Sequence, residues 1–357
     1  GSTLEGKMEF LNCPIHGGHH YAQEKYGVDP KVSTLFCNNF CFAHAKAMLD
    51  TVLPFPFTLW QPKLMAKDEV CEYYLKLAYS PEAKTQERYI PLVLSYNVTR
   101  ECNMKCSHCY INATDQKLQD ELTTQEAKNL IDQIYQVSSP LLILSGGEPL
   151  LRPDIFELIE YGSKKGLKMG LGTNGYLIND VVAKKLKAAG IATVSISIDS
   201  SIPAQHDEFR GVKGSWERAV NACKLLRNNG ILVQVNTTLT HDNYDQIDEI
   251  MTLAESIGVE NFHLFFLVPT GRGVKLTDIS PQKYDEMITK TFGKVHKHRL
   301  NVRPSCAPQF MRIAKGMDLD MRQWIRGCIA AMHYCRIYTN GDVTPCPDLP
   351  IKLGNIR

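Results

Sequence analysis

Apolar and polar positions change their spacing near residue 91 of the chain. From there on, short apolar runs alternate with stretches in which apolar residues recur at helical spacing. The first such stretch predicts a helix over residues 123–136, which opens with Thr123 and Glu126 as a capping box. Six strands are predicted at residues 91–98, 141–144, 168–171, 193–198, 231–239 and 262–268, each followed by a helix. This alternation predicts an α/β fold with a parallel sheet covered by helices.

The first 90 residues do not share this alternation. Residues 64–79 predict a helix, and residues 41–49 carry apolar positions at helical spacing, so a mainly helical N-terminal extension is expected. The histidines at positions 16, 19, 20 and 44 could instead bind a metal or the iron of a metallo-cofactor. The predicted division is an extension over 1–90, an α/β domain over 91–300 and a smaller region over 301–357.

Charge and apolar content argue against several classes of partner. The chain has 40 Lys and Arg residues against 38 Asp and Glu residues, so its charge does not suggest a nucleic-acid partner. No apolar run reaches the roughly 18 residues of a membrane span, and the first residues lack the apolar core of a signal peptide. We therefore expect a cytoplasmic protein without a membrane partner. Its twelve cysteines favour metal or redox chemistry over disulfides.

Three of these cysteines lie on one short loop after the first predicted strand. Cys102, Cys106 and Cys109 have the spacing CxxxCxxC. Three thiolates can each hold one iron of a 4Fe-4S cluster and leave the fourth iron without a protein ligand. The alternative is a zinc site in which His108 is the fourth ligand. The Gly-Gly-Glu-Pro segment at 146–149 favours the cluster, because a zinc site does not require it.

Polar residues and glycines stand at the carboxyl ends of several predicted strands, the edge at which parallel α/β folds bind ligands. The candidates for a pocket at this edge are Gly146, Gly147, Glu148, Thr173, Asn174, Ser197, Asp199 and, as a weaker one, Asn236. The two glycines would let backbone groups approach a ligand closely. The Thr-Asn-Gly and Ser-Ile-Asp-Ser segments could equally be plain turns, because Asn-Gly and Asp-Ser pairs are common turn chemistry.

The CxxxCxxC loop followed by Gly-Gly-Glu-Pro resembles the radical SAM superfamily, over about residues 91–300. The resemblance implies an open, partial (β/α)6 barrel. It also implies a 4Fe-4S cluster that binds S-adenosyl-L-methionine (SAM) through its open iron and cleaves it to a 5′-deoxyadenosyl radical.

The same resemblance implies roles for individual residues. The segment containing Glu148 would contact the methionyl amino group of SAM, and Ser197 or Asp199 would lie near the ribose. The Thr173-Asn174 element would belong to the pocket floor. Arg210 lies in a segment typical of radical SAM enzymes with extra clusters, and it is the implied bidentate partner of the cofactor carboxylate.

Four further cysteines follow the predicted α/β domain: Cys306, Cys328, Cys335 and Cys346. Gly341 marks a turn between two short β-prone runs, so Cys335 and Cys346 are predicted to face each other across a hairpin. Four thiolates could ligate a second, auxiliary 4Fe-4S cluster, or they could be scattered buried cysteines. The region resembles the SPASM/twitch extensions of radical SAM enzymes, and more narrowly the branch that modifies tetrapyrroles in heme and heme d1 biosynthesis.

This narrower resemblance gives the first hypothesis for function. It implies a radical SAM enzyme that removes or oxidatively decarboxylates acetate or propionate side chains of a siroheme-derived tetrapyrrole, with an external electron donor such as ferredoxin or flavodoxin. The alternative is a SPASM/twitch peptide-modifying maturase, which is disfavoured because the first 90 residues show no three-strand wing pattern. A third reading, a non-enzymatic iron–sulfur scaffold or electron-transfer protein, would leave Glu148 and Arg210 unexplained.

Overall fold

The computed structural model describes residues 3–10, 57–63, 71–78, 91–276, 280–295, 297–307, 310–317, 328–349 and 351–357. The chain divides into two compact units, Gly1–Tyr89 with Ser280–Tyr284, and Ile90–Ile279 with Asp285–Arg357. The three-part division at residues 90 and 300 stays a prediction. Among the described residues, no helix combines the length and the apolar character that crossing a membrane requires.

Apart from Ser280–Tyr284, the described part of the first unit is a three-stranded antiparallel sheet. Its strands are β1 (Thr3–Phe10), β2 (Phe57–Lys63) and β3 (Cys71–Ala78), in the order β1-β3-β2. Strand β3 lies within the helix predicted over residues 64–79, so that prediction is wrong for β3. Apolar residues of β3 alternate with other positions at a period of two, which is typical of a strand. Sequence analysis did not predict this sheet, and the lack of a three-strand wing pattern stays a prediction. The histidines at 16, 19, 20 and 44 lie outside the described residues.

The second unit contains the six parallel strands that the alternating pattern predicts. They are β4 (Val93–Thr99), β5 (Leu141–Gly146), β6 (Lys168–Thr173), β7 (Thr193–Ser197), β8 (Leu232–Leu239) and β9 (Asn261–Phe266). The helices between and after them are α1 (Thr124–Val137), α2 (Ile155–Lys164), α3 (Asp180–Ala188), α4 (Pro203–Arg210), α5 (Ser215–Asn228), α6 (Ile247–Ser256) and α7 (Pro281–Val295). The Thr123 and Glu126 capping box forms at the start of α1. This is the partial (β/α)6 barrel that the sequence predicts.

The two faces of this sheet differ in chemistry. Alternate positions of the strands, such as Tyr96, Leu144 and Ile196, are fully buried and apolar, as are the inward faces of the helices. The other positions are polar or small and lie side by side in register, with Asn97 opposite Ser145, Gly172 opposite Ser195, and Asn236 opposite both Ser197 and His263. We call this second set the polar face. It leaves room for a ligand, because most of its side chains are short or hydrogen-bonding.

Further strands extend the sheet at both edges, so that it has ten strands in the order β10-β9-β8-β7-β6-β5-β4-β11-β12-β13. The additional elements are β10 (Asn301–Ser305), α8 (Phe310–Gly316), β11 (Tyr334–Ile337), β12 (Asp342–Thr344) and β13 (Gly354–Asn355). Both β10 and β11 run parallel to their barrel neighbours, β9 and β4. Part of the region that carries the last four cysteines therefore continues the barrel sheet.

Candidate functional site

The loop that carries Cys102, Cys106 and Cys109 follows β4 directly and is fixed at its base. The backbone N–H of Cys102 donates to the carbonyl of Thr114 at 2.8 Å. The Arg100 guanidinium donates to two carbonyls further along the loop, at 2.7 and 2.8 Å. From the far side of the barrel, Arg272 donates to the carbonyl of Cys106 at 2.8 Å and to a second loop carbonyl at 3.0 Å. Arg100 and Arg272 thus fix the loop through its backbone carbonyls and not through its cysteine sulfur atoms.

Each of the three sulfur atoms accepts a hydrogen bond. The donors are the Met104 N–H to Cys102 at 3.4 Å, the Ala113 N–H to Cys109 at 3.4 Å, and the Arg210 guanidinium to Cys106 at 3.8 Å. Burial raises the pKa of Cys102 to about 12, and burial also raises the pKa of Cys106, although the charge of Arg210 opposes it. Without metal these two are neutral thiols. Iron would displace their protons, and the donors already present would then stabilise the thiolates.

His108 does not complete a zinc site with these cysteines. Its ring stacks on Phe209 with centroids 4.3 Å apart, and burial together with Arg210 lowers its pKa to about 3. In the described part of the chain, no three His, Cys, Asp or Glu side chains are grouped closely enough to hold a single metal ion. The zinc alternative therefore gains no support, whereas three thiols on one fixed loop suit the larger 4Fe-4S cluster.

Glu148 ties the end of β5 to the end of β6. Its side chain is fully buried and accepts hydrogen bonds from the Thr173 hydroxyl at 2.7 Å, the Asn174 N–H at 2.9 Å and the Leu150 N–H at 3.0 Å. Burial raises the pKa of Glu148, and these three donors oppose the rise. The Asn174 amide donates in turn to Asn103 on the cysteine loop at 2.8 Å. One hydrogen-bonded chain thus fixes three of the predicted pocket residues relative to the cysteines.

The two glycines before Glu148 allow a close backbone contact with the start of the cysteine loop. Gly147 donates to the Thr99 carbonyl at 2.8 Å, and Gly146 has a φ of +139°. A Cβ atom at Gly147 would lie 2.1 Å from the Glu101 carbonyl oxygen. These glycines are therefore required by packing against residues 99–101, whatever their contact with a ligand.

Replacing Gly147 by Ala is expected to displace Glu101 and the neighbouring Cys102. Backbone atoms cannot give way cheaply, so we expect a destabilisation of about 1–3 kcal/mol and a reduced iron content after anaerobic reconstitution. Gly316→Ala is the matched control, because a Cβ there meets nothing within 4 Å. Normal iron content in the Gly147 variant would show that the contact does not position the loop.

Asp199 and Arg210 form a buried ion pair beside the same loop. Asp199 is 1% exposed and accepts from the Arg210 Nε at 2.6 Å and from the Thr238 N–H at 2.8 Å. Burial alone would raise the pKa of Asp199, but Arg210 and the neighbouring His108 and His206 hold it below its usual value. The fork of Arg210 thus binds Asp199 and Cys106. That Arg210 binds the carboxylate of SAM stays a prediction. The place of Asp199 near the ribose of SAM stays a prediction as well.

Ser197 and Asn236 are brought together by the sheet. They are register partners on β7 and β8, and both lie on the polar face. Asn236 accepts from Gln234 at 2.7 Å, which orients its amide. The sheet therefore places Ser197 beside Asn236, and the part of both residues in a pocket with Glu148 and Asp199 stays a prediction.

Comparison with known proteins decides the family. The model of the radical SAM superfamily matches residues 96–254. An "AdoMet-dependent heme synthase" of Methanosarcina barkeri is 36% identical over 278 residues, which cover 75% of this chain and 80% of that protein. The chain belongs to the radical SAM superfamily. It is therefore a radical SAM enzyme, with a 4Fe-4S cluster and SAM as its cofactors.

Other relatives refine this membership. A "Pre-heme d1 synthase" of Dinoroseobacter shibae is 38% identical over 204 residues, covering 57% of this chain and 50% of that one. Together with the heme synthase it places the chain in the tetrapyrrole-modifying branch of the superfamily. Among solved structures, Streptococcus suis SuiB bound to its precursor peptide SuiA has a TM-score of 0.61 at 19% identity, covering 75% of this chain and 63% of that one. At that identity the likeness shows the radical SAM fold alone.

The hairpin predicted around Gly341 forms in the C-terminal region of this radical SAM enzyme. Strands β11 and β12 pair Arg336 with Thr344 and Ile337 with Val343, so the pairing ends before it reaches Cys346. That Cys335 and Cys346 face each other stays a prediction. Burial raises the pKa of Cys335 to about 11, and burial is its one cause.

Cys306 contacts the segment that follows Cys346, through Asp348. The Cys306 thiol donates to the Asp348 carboxylate at 3.7 Å. Desolvation raises the pKa of Cys306, and Asp348, Cys346 and Cys328 raise it further by their charge. Cys306 also has a left-handed backbone with a φ of 66°, a conformation that non-glycine residues adopt mainly where function or strain demands it. Arg326 and Gly327, which precede Cys328, lie outside the described residues.

Sequence analysis missed three residues that meet between the two cysteine groups. Arg336 of β11 donates to Asn97 of β4 and to the hydroxyl of Tyr110, which follows Cys109 directly. Its guanidinium also lies over the Tyr110 ring, 4.3 Å from the centroid. The sequence did contain a signal, since Arg336 is a charged residue inside a short β-prone run. It could not identify the partners of Arg336, because these lie more than 200 positions away in sequence.

Proposed function

We propose that this radical SAM enzyme removes or oxidatively decarboxylates a carboxylate side chain, acetate or propionate, of a siroheme-derived tetrapyrrole in heme or heme d1 biosynthesis. The observation that carries the proposal is the 36% identity with a heme synthase across 80% of that protein. The polar face of the barrel supports it, because a substrate with several carboxylates needs hydrogen-bond donors and cations around it.

In this proposal, Cys102, Cys106 and Cys109 hold the first cluster, and the elements at the ends of β5 to β8 surround SAM. When bound, the cluster and SAM supply a radical that takes a hydrogen atom from the substrate. The chain's own residues fix the geometry. Glu148 holds the ends of β5 and β6 together, and Arg210 keeps a positive charge against Cys106. Such positioning is the main contribution of a protein to cofactor chemistry.

The second group of cysteines is proposed to hold an auxiliary 4Fe-4S cluster. Cys306 contacts Asp348, which follows Cys346 by two positions, and this contact supports the proposal. Cys328 and Cys335 stay candidate ligands by their place in sequence. Oxidative loss of carbon dioxide leaves one electron to be removed after hydrogen abstraction, and an auxiliary cluster is an acceptor for it. An external donor such as ferredoxin or flavodoxin would reduce the first cluster.

The proposal is tested by anaerobic incubation of the reduced enzyme with SAM and, in parallel, siroheme, didecarboxysiroheme and Fe-coproporphyrin III. We expect 5′-deoxyadenosine and a tetrapyrrole of changed side-chain mass with at least one of them. Reactions without SAM are the control. Cofactor cleavage that leaves all three tetrapyrroles unaltered would reject the tetrapyrrole substrate and return the peptide-modifying alternative to first place.

A further inference from the structure

Arg336 is a buried cation whose hydrogen-bond partners among the described residues are neutral. The residue is 4% exposed, and its guanidinium contacts the amide oxygen of Asn97 and the hydroxyl of Tyr110. Within the described part of the chain, its Nε–H has no hydrogen-bond partner. A donor with no acceptor in such a place is uncommon in folded proteins and points to a group that the protein itself does not supply.

Burial of this cation is unfavourable as it stands. Its partners among the described residues are an amide oxygen and a phenol hydroxyl, and neither carries a negative charge. A buried guanidinium without a counter-charge is costly, because the cation has left water without gaining an anion. A carboxylate that accepts from the Nε–H and a neighbouring N–H would satisfy the guanidinium in the bidentate manner it prefers.

The position of Arg336 shows where such a carboxylate would sit. Arg336 is the register partner of Ser95 on β4, two positions before Asn97, and so it lies on the polar face of the barrel sheet. Tyr110, against which it stacks, is the residue after the third cysteine of the cluster loop. Arg336 itself follows Cys335, so this contact joins the residue after Cys109 to the residue after Cys335.

We propose that Arg336 binds a carboxylate of the substrate inside the barrel, with Asn97 and Tyr110 orienting its guanidinium. This inference rests on the proposed function, because it takes a tetrapyrrole carboxylate as the ligand. The carboxylate of SAM is the other source of the same chemistry. Position favours the substrate: the predicted SAM elements lie on β5 to β8, whereas Arg336 lies beyond β4 on the opposite side of the cysteine loop. A substrate carboxylate at Arg336 would stand beside both the radical source and the proposed auxiliary cluster.

The test compares the reconstituted, full-length enzyme with its Arg336→Met and Arg336→Lys variants under anaerobic conditions. Fe-coproporphyrin III and its tetramethyl ester are titrated while the Soret band is followed, and SAM affinity is measured by equilibrium dialysis. The parent is expected to bind the acid at least about tenfold more tightly than the ester, as the loss of a charge-assisted hydrogen bond predicts. Arg336→Met should lose that discrimination, and Arg336→Lys should recover part of it because the positive charge remains.

Arg312→Met is the matched control, because Arg312 is an exposed residue of α8 that pairs with Asp285 at the surface and not on the polar face. It should bind both ligands as the parent does, and all variants should bind SAM normally.

A parent that prefers the acid together with an unchanged Arg336→Met variant would overturn the Arg336 assignment alone. Reduced SAM affinity with unchanged tetrapyrrole affinity would assign the carboxylate to SAM and overturn the substrate assignment. Absence of tetrapyrrole binding by the parent would reject the proposed function itself. If a variant fails to fold, the affinities of the parent for the acid and for the ester still test whether the site recognises a carboxylate.

Discussion

Simultaneous replacement of Cys102, Cys106 and Cys109 by Ala is expected to remove one 4Fe-4S cluster and to abolish SAM cleavage. The three thiols are the proposed cluster ligands, and His108, the histidine of the same loop, is stacked on Phe209 and does not take their place. The anaerobically reconstituted variant should retain about four iron atoms per chain if the auxiliary cluster forms, against about eight in the parent. The measurement is iron and sulfide content together with 5′-deoxyadenosine production after reduction.

Cys223→Ala is the matched control for this experiment. Cys223 is a buried cysteine of α5 that takes no part in either cysteine group, so its removal should leave the iron content unchanged. An iron content in the triple variant equal to that of the parent would contradict the ligand assignment. Complete loss of iron would instead mean that the auxiliary cluster does not form without the first.

Arg210→Met is expected to have the largest effect on stability among single changes at the site. It leaves Asp199 charged and buried at 1% exposure with no cation beside it, a change that costs about 3–5 kcal/mol. The free energy of unfolding of the iron-free protein, measured by chemical denaturation, should fall by this amount. Arg312→Met is the control, because Arg312 pairs with Asp285 at the surface at 2.8 Å, and an exposed pair contributes about 0–1 kcal/mol.

The stability deficit of Arg210→Met should also depend on pH. In the parent the pKa of Asp199 is lowered, so its contribution is present above the usual Asp value of about 3.9 and is lost as the pH falls through the lowered pKa. In the variant, burial without Arg210 raises the pKa of Asp199, so protonation at acidic pH relieves the buried charge. The difference between parent and variant should therefore shrink as the pH falls. A deficit that is constant with pH would show that lost packing, and not the lost ion pair, is its cause.

The parts of this molecule that the sequence predicts are those determined by local pattern. Hydrophobic periodicity is sufficient for the six barrel strands, and the Thr123 capping box marks the start of α1 where the structure has it. The cysteine spacing on one loop needs no tertiary information either. These features depend on residues fewer than about a dozen positions apart, which is the range that periodicity and capping rules cover.

The missed features depend on partners that are distant in sequence. Strands β10 and β11 have five and four residues, too short for a periodic signal, and their pairing with β9 and β4 makes them strands. The contact of Arg336 with Tyr110 joins positions on two elements that only the parallel pairing of β11 with β4 brings together. The hairpin prediction placed Gly341 correctly at the turn, but the pairing of β11 with β12 ends at Thr344 and does not reach Cys346.

The most direct test of the central claim is transfer of deuterium from the side chains of a tetrapyrrole to the cofactor product. Fe-coproporphyrin III deuterated on its propionates and didecarboxysiroheme deuterated on its acetates and propionates are each incubated anaerobically with SAM and reduced enzyme. The account predicts that 5′-deoxyadenosine gains one deuterium with at least one substrate, and that the same tetrapyrrole loses a carboxylate-bearing group. Formation of 5′-deoxyadenosine without deuterium, with both tetrapyrroles recovered unchanged, would contradict it.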